Sequence, residues 1–272
     1  MVKMKNIVTC KNICLSYREK EVLKNLEVQI KEGDYYVLCG TNGSGKSSFV
    51  KAILNLVPYE GEVIIFSKAM CSENQIDLLE DISVVFENPN VNLVCETVYD
   101  ELKFPLKNRK YKKLEYDLEI QKIAKQLGIQ KLLSLPTHTL SGGEKQLVSF
   151  ASIMITKPKL LILDEPFTMV DGYTKDKLMR YIKKYHKDTK CTVIHITHDI
   201  EDILYGNTVG ILKEGKIVYS ISKEEFIQDD RIAKEVGLKL PFMADLSLKL
   251  KYYNLLSEPI LDMNKMVKYL WK

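Results

Sequence analysis

Gly40 to Ser48, read as GTNGSGKSS, combine glycines, hydroxyls and one lysine at the spacing G-x-x-x-x-G-K-[ST]. Those types suit the binding of a polyphosphate. Gly40, Gly43 and Gly45 carry no Cβ, so the backbone can turn its N–H groups inward on an anion. Lys46 supplies a full charge to β- and γ-phosphates, and the Ser47 hydroxyl is placed to ligate a magnesium ion bridging them. Asn42, Ser44 and Ser48 are the remaining polar candidates of the loop. The plainer alternative is a chance match in a Gly/Ser-rich turn.

Four more places offer chemistry. Leu140-Ser141-Gly142-Gly143-Glu144-Lys145-Gln146 presents a hydroxyl and two glycines ahead of a helix expected from Lys145 to Ile155, which makes a second anion site or simply an N-cap. Leu160-Leu161-Ile162-Leu163 reads as a buried strand ending in Asp164-Glu165-Pro166. Adjacent carboxylates at a strand's end point to opposite sides. Asp164 then fits water-mediated magnesium binding, and Glu165 a base that aligns an attacking water. Asp171 follows in a loop, and His198, at the tip of the strand Thr192 to Ile196, could donate to a γ-phosphate. Tyr17, just after the first strand, could stack on adenine for about 1 kcal/mol beyond burial, or is an ordinary edge tyrosine. His195 reads as a core residue, His138 and His186 as surface residues, and the histidine spacing matches no zinc pattern.

Elements to position these groups follow from periodicity. Tyr35 to Cys39 is an apolar strand leading into the glycine loop, and Ser48 to Leu54 has helical spacing. Ile7 to Leu15, Val22 to Ile30, Glu62 to Phe66 and Ile82 to Phe86 read as further strands. Thr97 to Leu106 and Leu114 to Leu127 read as helices, the second stopped by Gly128, and together they form a helical insertion between strands. Lys213-Glu214-Gly215 is a tight hairpin between Thr208 to Leu212 and Lys216 to Tyr219. Beyond it the texture is helical. Ser222-Lys223-Glu224-Glu225 is a capping box, Gly237 ends a short helix, and Phe242, Leu246, Leu250 and Tyr253 share one helix face. Asp262 caps a last helix with Met263, Met266, Val267 and Leu270 on one side.

Composition sets the bounds. A chain of 272 residues, 46% hydrophobic and 28% charged, supports a sizeable core in one domain or two. No apolar run approaches the ~20 residues that span a bilayer, and MVKMKNIVTC has no secretory h-region, so a cytoplasmic location is expected. Cys10, Cys14, Cys39, Cys71, Cys95 and Cys191 form no C-x-x-C pair and read as reduced and structural. A net charge of +4 is too mild to indicate nucleic acid, and the basic run Lys107 to Lys113 reads first as a solvated face.

In order along the chain, Gly40 to Ser47, Leu140 to Gln146, Leu160 to Pro166, Asp171 and His198 resemble the motif series of the ATP-binding cassette ATPases. They are similar to the Walker A loop, the LSGGQ-type signature, the Walker B strand with its catalytic glutamate, the D-loop and the H-loop. The resemblance implies an α/β fold: a P-loop NTPase core of ABC type with an inserted helical subdomain near 90–156, an ATPase domain over 1–221, and a C-terminal helical extension over 222–272. Val85 to Leu93 and Thr97 to Glu101 resemble the Q-loop region of energy-coupling-factor and cobalt-type uptake ATPases, and Gly237 to Phe242 resembles their C-terminal extension. There the extension contributes to the contact between two ATPase subunits.

The resemblance also implies the cofactors ATP and Mg2+. Glu87 stands where the family has the Q-loop glutamine, which touches magnesium and the attacking water, so Glu87 joins Glu165 and His198 as a candidate catalytic residue and Ser47 and Asp164 as a candidate metal ligand. An acid there places negative charge beside phosphates. Glu144 and Leu147 are milder departures in the signature. With one phosphate loop and one signature in the chain, a second ATPase subunit, identical or related, is expected. Head to tail, Lys46, Ser47, Asp164, Glu165 and His198 of one would meet Ser141, Gly142 and Gly143 of the other. Further implied partners are a transmembrane coupling protein and a substrate-binding membrane component, which place the chain peripherally on the cytoplasmic face of the membrane and point to uptake of a vitamin or metal ion. A soluble cassette protein acting on nucleic acid, and a weakly hydrolysing regulatory subunit of a heterodimer, are the rivals.

Overall fold

A computed structural model describes residues 5–88, 93–109, 112–168 and 170–271. Pro89 to Asn92 of the Q-loop-like segment, and Lys110 and Tyr111 of the basic run, lie outside the described residues. The chain opens with β1 (Asn6–Tyr17) and β2 (Lys20–Lys31), an antiparallel pair closed by Arg18 and Glu19. β3 (Tyr35–Cys39) leads through the glycine loop into α1 (Lys46–Ile53). β4 (Glu60–Ile65) and β5 (Lys68–Ala69) return to the first sheet, whose order is β2-β1-β4-β5.

After α2 (Gln75–Leu79) and β6 (Ile82–Val85), the expected helical insertion appears as α3 (Val98–Asn108), α4 (Tyr116–Leu127) and α5 (Gly142–Met154). Then come β7 (Leu160–Asp164), α6 (Gly172–Thr189), β8 (Thr192–Thr197) and the hairpin of β9 (Thr208–Lys213) with β10 (Lys216–Ser222). Four helices follow: α7 (Lys223–Gln228), α8 (Asp230–Glu235), α9 (Phe242–Tyr252) and α10 (Met263–Leu270).

The second sheet has the order β10-β9-β3-β8-β7-β6, and its pairs are parallel except for the β9–β10 hairpin. Its central strands β3, β7 and β8 are buried at every residue, which is why they read as continuous apolar runs. Alternation still divides them. Tyr36, Leu38, Ile162 and Ile194 pack with α1 and the antiparallel sheet, whereas Tyr35, Val37, Leu161, Leu163 and Val193 pack with α3 to α7. α1 therefore sits between the two sheets with Phe49, Val50 and Ile53 buried.

This topology positions the chemistry. β6, β7, β8 and β3 are parallel neighbours in register, with Val85 opposite Leu163, Asp164 opposite Ile196 and Cys39 opposite Thr197. Glu87, Asp164-Glu165, His198 and the glycine loop consequently leave the sheet at the same carboxyl edge. Ligands of parallel α/β sheets bind at that edge.

Five local expectations are corrected. α5 begins at Gly142, not Lys145, because Ser141 caps it and Glu144 completes the capping box. α9 buries Met243, Ala244 and Ser247, whose hydroxyl donates to Ile260 O at 2.7 Å; of the expected face, Leu246 and Leu250 pack against the cluster of Met243, Leu256 and Met266, while Phe242 and Tyr253 stay exposed. His186 is half-buried, with its ring edge on Tyr35 and Nδ1 bonded to Cys191 O. Arg109 leaves the solvated basic run to donate to Thr156 O, Ile82 O and Ser83 Oγ. The Ser222 cap forms through Glu225 N–H, as one half of the expected box.

Candidate active site

The glycine loop is shaped by close packing. Gly45 caps α1 at a φ of 109°, and a Cβ there would lie 2.9 Å from Leu23 Cδ2; one on Gly40 would lie 2.4 Å from Leu212 O. Larger residues would push the loop off β2 and β9. Behind it, Lys46 is buried and its ammonium donates to Gly40 O at 2.9 Å and Thr41 O at 3.3 Å. The first-turn N–H groups of α1 face an anion site strengthened by the helix dipole.

In front lies a cleft of about 820 Å³, lined by Tyr17, Asn42, Gly43, Gly45, Lys46, Ser47 and Ser48, with Glu87 and Glu165 on its rim. Tyr17 is 42% exposed there, so the ring is free to take a flat ligand surface. Ser44 is buried just behind, and its hydroxyl has no hydrogen-bond partner. An orphaned buried hydroxyl inside a glycine cradle fits a polyphosphate.

The acids separate as their strand position requires. Asp164 is buried at the end of β7, where Ser47 Oγ donates to its Oδ1 at 3.4 Å. Burial pushes its carboxyl up, the serine bond opposes this, and Glu165 and Glu87 add to the rise. A divalent cation would relieve that burden, so the oxygens of Ser47 and Asp164 fit magnesium. Among the described residues, no three His, Cys, Asp or Glu side chains gather closely enough to hold a metal by themselves.

Glu165 takes a φ of 48°, and its N–H is held by Ile196 O at 3.0 Å. A left-handed glutamate is an uncommon, mildly strained conformation, and here it aims the side chain across the edge of the sheet. Its Oε2 lies 2.8 Å from His198 Nδ1 and its Oε1 3.8 Å from Lys46 Nζ. Since a carboxylate accepts, His198 donates from Nδ1 and turns Nε2 away from Glu165.

Ser141, Gly142, Gly143 and Asp171 are not among the described residues lining this cleft. The Ser141 N–H donates to Glu144 Oε2 at 2.9 Å and its hydroxyl at 2.8 Å, which lowers the Glu144 carboxyl below its usual range. Asp171 is exposed and caps α6 by accepting from Thr174 N–H at 3.0 Å.

Two features escaped the sequence. Gln146, buried in α5, donates to Pro166 O beside Glu165 and so ties α5 to the segment that follows β7. Behind His198 lies a polar group of buried His195, Thr197 and Asp202 with partly exposed Asp199 and Lys175, of which only His195 stood out, as a core residue.

Burial holds His195 down to about 4, against an ordinary 6.5, with Asp202 opposing and Lys175 reinforcing. Between those values the unfolded chain binds a proton that the folded chain does not, so stability is full above 6.5 and falls as pH drops toward 4. This residue contributes up to about 1.4 kcal/mol per pH unit in that window. Thermal melts from pH 7 to pH 5 should show His195→Gln with a shallower decline than wild type; equal slopes would remove His195 as the cause.

The profile described as ABC transporter matches residues 23–168. The energy-coupling factor transporter ATP-binding protein EcfA1 of Mycoplasma pneumoniae is 34% identical over 238 residues, covering 87% of this chain and 86% of the relative. The protein of the same description from Clostridioides difficile is 32% identical over 97% of this chain and 98% of its own length. Among solved structures, CbiO1 of Clostridium perfringens, part of the ABC transporter complex CbiONQ, superposes with a TM-score of 0.74 at 28% identity, covering 89% of this chain and 98% of the other. A dimeric ATP-binding cassette in a post-hydrolysis state bound to ADP and Pi gives a TM-score of 0.72 at 26% identity, covering 79% and 98%.

Proposed function

This chain belongs to the ABC transporter family and is an ATPase similar to energy-coupling-factor and cobalt-type members; from that premise we propose that it powers uptake of a vitamin or metal ion as the ATP-hydrolysing subunit of an energy-coupling-factor transporter. One observation carries the reading. Lys46, Ser47, Asp164, Glu165 and His198 gather at one sheet edge, while Ser141, Gly142 and Gly143 are absent from the lining of that cleft.

A nucleotide seated on Lys46 would therefore take its remaining contacts from the signature of a second ATPase subunit, identical or related. ATP, touched by both, would draw the subunits together, and hydrolysis would release them, moving a transmembrane coupling protein. Tyr17 would stack on the base, and the loop from Gly40 to Ser48 would hold the phosphates. Ser47, Asp164 and Glu87 would hold magnesium, which supplies positive charge to the β- and γ-phosphates when bound. Glu165 would align and deprotonate the attacking water, and His198, fixed by that same carboxylate, would steady the γ-phosphate.

Membrane attachment would be peripheral, on the cytoplasmic face; among the described residues no helix is long and apolar enough to cross a bilayer. Within the proposed extension over 222–272, Met243 of α9, Met266 of α10 and Leu256 between them form their own small cluster, whereas Phe226 and Ile227 of α7 pack into the main core. Around that cluster Tyr252, Tyr253, Leu255 and Trp271 are each more than half exposed. A patch of this kind suits burial against the second subunit.

Glu87 favours a second reading, a weakly hydrolysing half of an unequal pair. It is exposed on the cleft rim and adds its negative field to Asp164. Removing that charge in Glu87→Gln should tighten ATP binding roughly fivefold. Phosphate release by wild type and Glu87→Gln, alone and with a related ATPase subunit, tests both. Turnover by the wild-type chain alone supports a competent motor; turnover only after Glu87→Gln, or only with the related subunit, supports the weaker half.

A further inference from the structure

His198 stands between Thr197 and Asp199, and both neighbours are anchored to one point. The Thr197 hydroxyl donates to Asp202 Oδ2 at 2.7 Å, and the Asp199 N–H donates to Thr197 Oγ1 at 2.9 Å. Lys175 reaches across from α6, with Nζ 2.6 Å from Asp199 Oδ2 and 2.9 Å from Asp202 Oδ1. Asp202 is almost wholly buried and Lys175 is three-quarters buried, so this is a desolvated, hydrogen-bonded ion pair with real geometric stiffness. At its other end, the Lys175 backbone N–H donates to Asp171 O at 2.9 Å, one turn from the cap of α6. Through its side chain, Lys175 thus ties the turn that carries His198 to the first turn of α6, which Asp171 caps.

We propose that Lys175 is a positioning residue for ATP hydrolysis, holding His198 over Glu165 by fixing its turn to the start of α6. Lys175 touches neither nucleotide nor water in this scheme; it acts through Asp199 and Asp202. The inference rests on the assignment of His198 to the γ-phosphate. A rigid link of this kind matters at the reacting phosphate, where small displacements are costly, and hardly at all for ground-state nucleotide binding. Neutralising the buried Asp202 is the competing role, and it would affect folding alone.

The test uses the full chain, with a related ATPase subunit where turnover requires one. Lys175→Met, Lys175→Arg, and Lys175→Met combined with Asp202→Asn are compared by thermal melting, ATP affinity and steady-state phosphate release. Lys175→Met should lower kcat about tenfold or more with KM for ATP within about twofold, and Lys175→Arg should recover most of the loss. Removing both charges should restore melting temperature without restoring kcat. That double variant carries the test if Lys175→Met does not fold. Wild-type kcat in the double variant would overturn the proposal, as would a Lys175→Arg rate no better than Lys175→Met. His198→Ala is run alongside. If it turns over normally, the assignment of His198 falls; if it is inactive while Lys175→Met is normal, the role of Lys175 alone falls.

Discussion

Glu165→Gln is expected to bind ATP as well as wild type and to lose turnover by roughly 10²-fold or more, the range of a lost general base. Glutamine has the same shape, so it can keep the left-handed backbone held by Ile196 O and can still accept from His198 through its carbonyl oxygen. What it lacks is negative charge and a basic oxygen. The Glu165 carboxylate spans the 3.8 Å to Lys46 and the 2.8 Å to His198, the place where the proposed function seats the water attacking the γ-phosphate. Phosphate release, measured beside equilibrium ATP binding, separates the two effects. Near-normal hydrolysis in this variant would remove Glu165 from the role of base.

Lys46→Ala should act on binding itself, weakening ATP affinity by about one to two decades, the equivalent of a buried hydrogen-bonded charge. Its ammonium closes the loop by donating to Gly40 O and Thr41 O, and it is the cation within the cradle. Alanine removes the charge and the cross-link together, so the loop loses both its attraction for phosphate and the brace on its entry. Titration with ATP, read by calorimetry, should show this while melting temperature changes little. Unchanged affinity would mean that the phosphates sit elsewhere.

The phosphate loop, the Asp164-Glu165 pair and the His198 tip were legible in the sequence because each rests on local signals: a glycine pattern, an apolar strand, and the residues at its end. Their convergence was not local. It follows from the register of β3, β8, β7 and β6, and the family resemblance supplied what periodicity alone does not. The start of α5 was read late because Gly142 and Gly143 are poor helix formers, yet the Ser141–Glu144 capping box outweighs them. The inward face of α9 is legible only at Leu246 and Leu250, because Ser247 is polar and its partner Ile260 lies 13 residues on. Lys175 and Asp202 were illegible for the same reason: a charged pair becomes informative only when the fold buries it.

The central claim is that a chain contributes one half of each hydrolytic site and a second subunit the other half. Mixing two disabled variants measures this most directly. Lys46→Ala lacks the phosphate half and Ser141→Arg obstructs the signature half, so each should release little phosphate alone. Mixed, they can form one site with Lys46 from one subunit and Ser141 from the other, and turnover should return to a substantial fraction of wild type. Wild-type turnover by Ser141→Arg alone, or a silent mixture beside an active wild type, would contradict the shared site.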